Sequence, residues 1–121
     1  MMNKILIVDD SQAVKKSLKD ILEKYKYNVV GEASNGTEAI KLFSSLSPDI
    51  VMLDIIMPQL GGIETLRIIR SLNKDVKVIM VSALDSLDRV NECLKAGATH
   101  YILKPFEEEK VIAILEKITK Q

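Results

Sequence analysis

Two acids stand side by side at Asp9 and Asp10, directly after the apolar run I-L-I-V. Repulsion and desolvation both oppose keeping two ionised carboxylates at the end of a buried strand, so a bound cation is the first explanation for the pair. A third acid, Asp54, follows a second apolar run, I-V-M-L; Ser82 follows a third, V-I-M-V; and Lys104 follows H-Y-I-L. Mg²⁺ suits such a set, because it takes oxygen ligands, keeps several waters and is usually held by one or two carboxylates together with a phosphate. Asp54 also offers a nucleophile, since carboxylates form acyl phosphates, while Lys104 and Ser82 would steady a transferred phosphoryl group by charge and hydrogen bond. For an isolated acidic pair, capping of the following helix is the simpler account. It is the registration of Asp54 and Lys104 with the pair that favours a metal.

These residues meet only if the strands they follow are parallel and share one edge. Five short runs read as strands: Lys4 to Val8, Asn28 to Glu32, Ile50 to Leu53, Lys77 to Val81 and His100 to Leu103. They alternate with segments of helical period, the signature of repeated βα units around a parallel sheet. I-L-I-V, I-V-M-L and V-I-M-V are continuously apolar, as central strands covered by helices on both faces should be. The expected fold is therefore α/β, a doubly wound five-stranded parallel sheet with five helices. In the flavodoxin-like strand order 2-1-3-4-5, the first and third strands are neighbours and three carboxylates converge at the edge where open α/β sheets bind ligands.

Between the first two strands Val14, Leu18, Ile21, Leu22 and Tyr25 recur at helical spacing, with lysines and acids on the other face, and Asp10 or Ser11 is placed to cap the helix start. Further helices fit Thr37 to Leu46, Gly62 to Leu72, Ser86 to Ala96 and Glu107 to Lys120. Gly97 suits a left-handed stop for the fourth. The acidic run Glu107 to Glu109 suits the positive end of the fifth helix dipole.

At 121 residues the chain has the length of one domain that needs no disulfide or structural metal. The composition is that of an ordinary globular protein, no apolar run approaches a bilayer span, and no signal-peptide pattern precedes the first strand, so a cytoplasmic location without membrane insertion is expected. The single Cys93 cannot form an internal disulfide and lies in a helical pattern, so a packing or partly exposed thiol is expected. His100 has no metal-spaced partner. Seventeen basic residues balance seventeen acids and no basic tail is present, so nucleic acid is not expected as a direct partner.

The segments I-L-I-V-D-D-S, P-D-I-V-M-L-D-I-I-M-P, V-I-M-V-S-A and Y-I-L-K-P-F together resemble response-regulator receiver domains of two-component signalling, in the right order and over nearly the whole chain. The resemblance implies that Asp54 is the phosphoacceptor. It implies that Asp10 ligates Mg²⁺ directly, Asp9 mainly through a metal-bound water, and Ile56 through its backbone carbonyl. Ser82 matches the switch hydroxyl and Lys104 the lysine that pairs with the phosphoryl group; Tyr101 matches the aromatic switch residue, and Pro105 would follow a cis peptide bond. The implied function is a stand-alone receiver, residues 1–121 with no output domain. It would take a phosphoryl group from a histidine kinase or phosphotransfer protein and present a changed surface to a protein target. It would act as no enzyme beyond assisting its own phosphorylation and dephosphorylation. G-E-A-S-N-G-T-E-A and K-A-G-A-T-H-Y-I-L-K-P-F resemble the chemotaxis group most, with the flagellar motor switch as target; the alternatives are a phosphorelay or other stand-alone receiver, or a pseudo-receiver that is never phosphorylated.

Many members of the family read M-P-x-M-D-G after the phosphoacceptor, whereas this chain has Met57-Pro58-Gln59-Leu60-Gly61-Gly62, with Gly61 in place of the Asp. Ile56 and Leu84 are apolar where some relatives carry polar groups that order an attacking water, which bears on the lifetime of a phosphorylated state. Phosphatases of the haloacid-dehalogenase type also combine an Asp nucleophile with Mg²⁺, but they read D-x-D after the first strand. Flavin binding would need a phosphate-cradling loop after that strand, and none is present.

Overall fold

The structure is a computed structural model and describes residues 3–120. Its strands are β1 (Lys4–Val8), β2 (Asn28–Ala33), β3 (Ile50–Leu53), β4 (Lys77–Ser82) and β5 (His100–Leu103). Its helices are α1 (Gln12–Lys24), α2 (Gly36–Leu46), α3 (Gly62–Leu72), α4 (Leu87–Lys95) and α5 (Glu108–Thr119). The strands form one parallel sheet in the order β2-β1-β3-β4-β5. That is the expected doubly wound sheet in the flavodoxin-like order, covered on both faces as the apolar runs indicated.

Alternate side chains of a strand point to opposite faces, which splits the core in two. Leu6, Val8, Val51, Leu53, Val78 and Met80 pack with Phe43, Leu66, Ile69 and Cys93 beneath α2, α3 and α4. Ile5, Ile7, Ile50, Met52, Ile79 and Val81 pack with Leu18, Leu22, Val111 and Leu115 beneath α1 and α5. β1 and β3 pair from Ile5 with Ile50 to Val8 with Leu53, so Asp9 and Asp54 leave the sheet side by side.

Where element ends differ from the expected limits they move by one residue: α4 and α5 lose the residues that serve as their caps, while β2, β4 and α2 each gain one. Ser11, not Asp10, caps α1, its hydroxyl accepting from the Val14 N–H at 3.2 Å. Ser86 similarly caps α4 through the Arg89 N–H and stands outside the helix. Gly97 follows α4 with φ 109°, in the left-handed region. Two residues of α1 depart from its expected faces. Tyr25 is the C-cap and 41% exposed, outside the apolar stripe, with its hydroxyl donating to Glu108. Lys15 is buried among the lysines expected to face solvent: its stem lies against the fold and its ammonium donates to the Ser34 hydroxyl.

Arg70, in the last turn of α3, holds two loops together. Its guanidinium donates to the Gly97 carbonyl at 2.6 and 3.0 Å, to Val76 at 2.5 Å and to Lys74 at 3.2 Å. Burial lowers its pKa, yet the group remains charged at neutral pH. Arg70→Met keeps much of the stem but leaves these carbonyls without a donor. A loss of about 2–3 kcal/mol is expected, read as a lower urea midpoint with unchanged slope.

Candidate functional site

The carboxyl ends of β1, β3, β4 and β5 bring Asp9, Asp54, Ser82 and Lys104 to one edge of the sheet. Asp9 is buried and doubly held: one oxygen accepts from the Ser11 N–H at 2.9 Å and the other from the Lys104 ammonium at 2.7 Å. Asp54 is buried too, with Oδ1 accepting from the Ile55 N–H at 2.7 Å and Oδ2 lying 3.3 Å from Lys104 Nζ. Asp10 is exposed, and its carboxylate accepts no hydrogen bond among the described residues. Each of the three acids offers one oxygen, and these oxygens lie within 4.8 Å of one another.

The charge balance explains the acid–base behaviour. Burial raises the pKa of Asp54, the negative charge of Asp9 adds to it, and Lys104 only partly opposes them. For Lys104, burial works against the charge but is outweighed by the hydrogen bond to Asp9 and the attraction of Asp54 and Asp9, so its pKa rises. One ammonium thus serves several carboxylates: the cation gains from the cluster, while Asp54 remains short of positive charge.

This is a donor set that fits Mg²⁺. It is all hard oxygen, carries more negative charge than its one lysine offsets, and exposes Asp10 to the solvent from which an ion and its waters would come. The Ile55 carbonyl is taken by the Gly62 N–H at 2.7 Å, whereas no donor to the Ile56 carbonyl is found among the described residues. A methyl group on Gly62 would stand 2.0 Å from the Asp54 carbonyl oxygen, so only glycine lets the start of α3 seat directly against the residue that carries the central carboxylate.

Ser82 shares the sheet face of Val78 and Met80, the side covered by α4, and its hydroxyl accepts from the Leu84 N–H at 3.2 Å. Tyr101 pairs with Met80 across the sheet, packs against the same core and donates its hydroxyl to the Leu84 carbonyl at 2.6 Å. Burial raises the Tyr101 pKa, with the nearby Ser82 hydroxyl acting in the opposite direction. Both side chains therefore meet the segment between β4 and α4. Ile56 is 63% exposed at the lip of the site, Leu84 is half-buried, and the Lys104–Pro105 peptide is cis.

Cys93 lies in the core under α4, where burial pushes its thiol pKa up, as suits a packing residue. His100 is half-buried at the start of β5, away from the strand ends that carry the acids. No helix among the described residues is long and apolar enough to cross a membrane. Arg70 and Lys15 were not singled out by sequence: an arginine late in a helix and a lysine among lysines carry no local signal of burial.

The chain is 42% identical to the chemotaxis protein CheY of Thermotoga maritima over 99% of its own length and 100% of that protein's. It is 38% identical to the protein CcdB of Bacillus subtilis over 97% and 98%, so similarity at this level extends beyond proteins named for chemotaxis. Among solved structures it is similar to the CheX–CheY–BeF₃–Mg²⁺ complex of Borrelia burgdorferi, with TM-score 0.93 and 36% identity, covering 96% of this chain and 88% of that one. The profile of the response regulator receiver domain matches residues 5–116. With the acidic edge and the sheet order already described, that match identifies the chain as a member of the response regulator receiver domain family.

Proposed function

We propose that this receiver is a chemotaxis-type response regulator that accepts a phosphoryl group on Asp54 with Mg²⁺. The observation that carries the reading is the meeting of Asp9, Asp10, Asp54 and Lys104 at one strand edge. Asp10 and Asp54 would hold the ion directly and Asp9 through water, with the Ile56 carbonyl as a further protein ligand. Bound there, Mg²⁺ supplies the positive charge that lets an anionic phosphodonor approach a carboxylate. An Asp54 oxygen attacks phosphorus, the new O–P bond forms as the P–N bond of a phosphohistidine breaks, and the departing imidazole keeps that electron pair and takes a proton. Lys104 neutralises charge gathering on the phosphoryl oxygens, and Ser82 donates a hydrogen bond to one of them once its hydroxyl turns inward. A largely apolar groove of about 430 Å³, lined by Ala13, Val14, Ser17, Ala83, Pro105 and Phe106, opens beside Lys104 and leaves the site approachable from that side.

The switch follows from what Ser82 and Tyr101 share. Both bond to Leu84, so recruitment of the Ser82 hydroxyl by the phosphoryl group disturbs the segment that also holds Tyr101. Tyr101 then changes rotamer and α4, β5 and α5 present a different face. The match to CheY over 99% of this chain and the likeness to a CheX–CheY complex with Mg²⁺ and BeF₃⁻ support a chemotaxis-type receiver; a cytoplasmic location and the flagellar motor switch as target are part of the proposal.

Asp10→Ala is expected to weaken Mg²⁺ binding at least about tenfold, because it deletes the most accessible of the three ligands. NMR titration of the amide signals with Mg²⁺ measures it, and an unchanged affinity would remove Asp10 from the site. For the output, binding of the motor-switch protein should tighten on phosphorylation of Asp54; equal binding by both forms would turn the assignment toward another partner.

A further inference from the structure

Gln59 and Leu60, both in the loop after β3, are consecutive non-glycine residues in the left-handed region, with φ 50° and 83°. Such a pair does not hold its shape without outside contacts. The near restraint is at the loop's base, where the Gly62 N–H bonds the Ile55 carbonyl at 2.7 Å. The family's Asp is absent: Gly61 is the N-cap of α3 and makes no side-chain capping bond. The remaining restraint comes from another element. The first turn of α2 donates three hydrogen bonds to the strained pair: Gly36 N–H to the Leu60 carbonyl at 3.2 Å, Thr37 N–H to Gln59 at 3.3 Å, and the Thr37 hydroxyl to Gln59 at 3.2 Å.

The approach is close enough to need a particular residue. A methyl group on Gly36 would lie 2.4 Å from the Leu60 carbonyl oxygen and 2.2 Å from the Thr65 hydroxyl. The turn is itself fixed: Asn35 caps α2 through the Glu38 N–H at 2.8 Å, Glu38 accepts from the Ser34 N–H at 2.7 Å, and the Ser34 hydroxyl accepts from the buried Lys15. A loop closed at Ile55 and Gly62 and pinned at Gln59 and Leu60 leaves the intervening Ile56 little freedom.

We infer that Thr37 is a positioning residue: through the Gln59 carbonyl it holds the loop so that the Ile56 carbonyl stays in register with the carboxylates of Asp9, Asp10 and Asp54. This rests on the Mg²⁺ reading above. Thr37 is exposed and touches neither the ion nor the phosphoryl group. Its hydroxyl acts on metal affinity and not on the nucleophile, so its loss raises the Mg²⁺ requirement and leaves the rate at saturating Mg²⁺ unchanged.

The test compares wild type, Thr37→Val and Thr37→Ser by NMR titration with Mg²⁺, by labelling with acetyl phosphate across Mg²⁺ concentrations, and by melting without metal. The expected result is a Mg²⁺ dissociation constant raised about threefold to tenfold in Thr37→Val, the worth of one hydrogen bond. Thr37→Ser should be restored to near wild type, and the labelling rates should converge at saturating Mg²⁺. Equal affinity in wild type and Thr37→Val, or equal impairment of Thr37→Ser and Thr37→Val, overturns the inference and leaves the Mg²⁺ reading standing. Wild type that binds no Mg²⁺ overturns both.

Discussion

Lys104→Met is expected to give a protein that binds Mg²⁺ more tightly than wild type and yet takes a phosphoryl group about a hundredfold more slowly. Both effects come from one ammonium. Without metal it is the cation nearest Asp9 and Asp54, at 2.7 and 3.3 Å, so an arriving ion competes with it for the same negative charge. Removing it leaves a more negative cluster, and affinity for Mg²⁺ should rise roughly fivefold or more. In the proposed transfer the same ammonium would face the phosphoryl oxygens, where loss of one well-placed donor costs a factor of about a hundred to a thousand. The metal-free variant should also be less stable by about 3 kcal/mol, since deleting one partner leaves buried carboxylates uncompensated. The raised pKa of Lys104 makes that contribution constant at neutral pH; it is lost only as the pH climbs past the ordinary value of 10.5 through the higher folded-state one. Mg²⁺ titration, labelling and urea melts read the three effects separately. Unchanged or weaker Mg²⁺ binding would mean that Lys104 and the ion do not share a site.

Asp54→Asn is expected to move in the opposite sense, abolishing labelling while stabilising the metal-free protein. Burial and the neighbouring Asp9 raise the Asp54 pKa, so the folded state holds this proton more tightly than the unfolded chain does. As the pH rises from the ordinary carboxylate value of 3.8 to the raised folded-state value, the unfolded chain loses the proton first, and this residue's contribution to stability falls across that window. Above it the penalty is constant, and Asn, uncharged and nearly the same shape, removes it. A gain of about 1 kcal/mol at neutral pH is expected, a few degrees in Tm, shrinking as the pH is lowered through the same window. Mg²⁺ should narrow the difference by stabilising wild type more than the variant. A variant less stable than wild type without metal at neutral pH would show that the Lys104 pair outweighs burial and the Asp9 charge.

The sheet was legible because its signals are local and repeated. Three continuously apolar runs read as central strands covered on both faces, and Asp9, Asp54 and Lys104, which follow the first, third and fifth strands, fall on the same edge whatever the helices do. The strand order was not legible from the residues themselves but came from the flavodoxin-like arrangement, and the pairing of Val8 with Leu53 bears out the neighbouring first and third strands that it implies. The positions of Ser82 and Tyr101 had no such signal, since serine at a strand end and tyrosine within one are common; resemblance alone singled them out. Residues whose roles depend on contacts distant in sequence were silent. Arg70 reaches carbonyls of two other loops, Lys15 turns inward to Ser34, and Thr37 meets Gln59 across a gap of 22 residues. Nothing in their own neighbourhoods distinguishes them from solvent-facing residues. Tyr25 erred the other way: helical spacing continued the apolar stripe by one residue beyond the point where the helix ends.

The most direct test of the central claim is the intact mass of wild type and Asp54→Asn after incubation with acetyl phosphate, with and without Mg²⁺. The expected result is the addition of one phosphoryl group to wild type, only with Mg²⁺, and none to the variant. Label on Asp54→Asn equal to that on wild type, or no label on wild type in a short quenched reaction where another receiver domain is labelled, would contradict it.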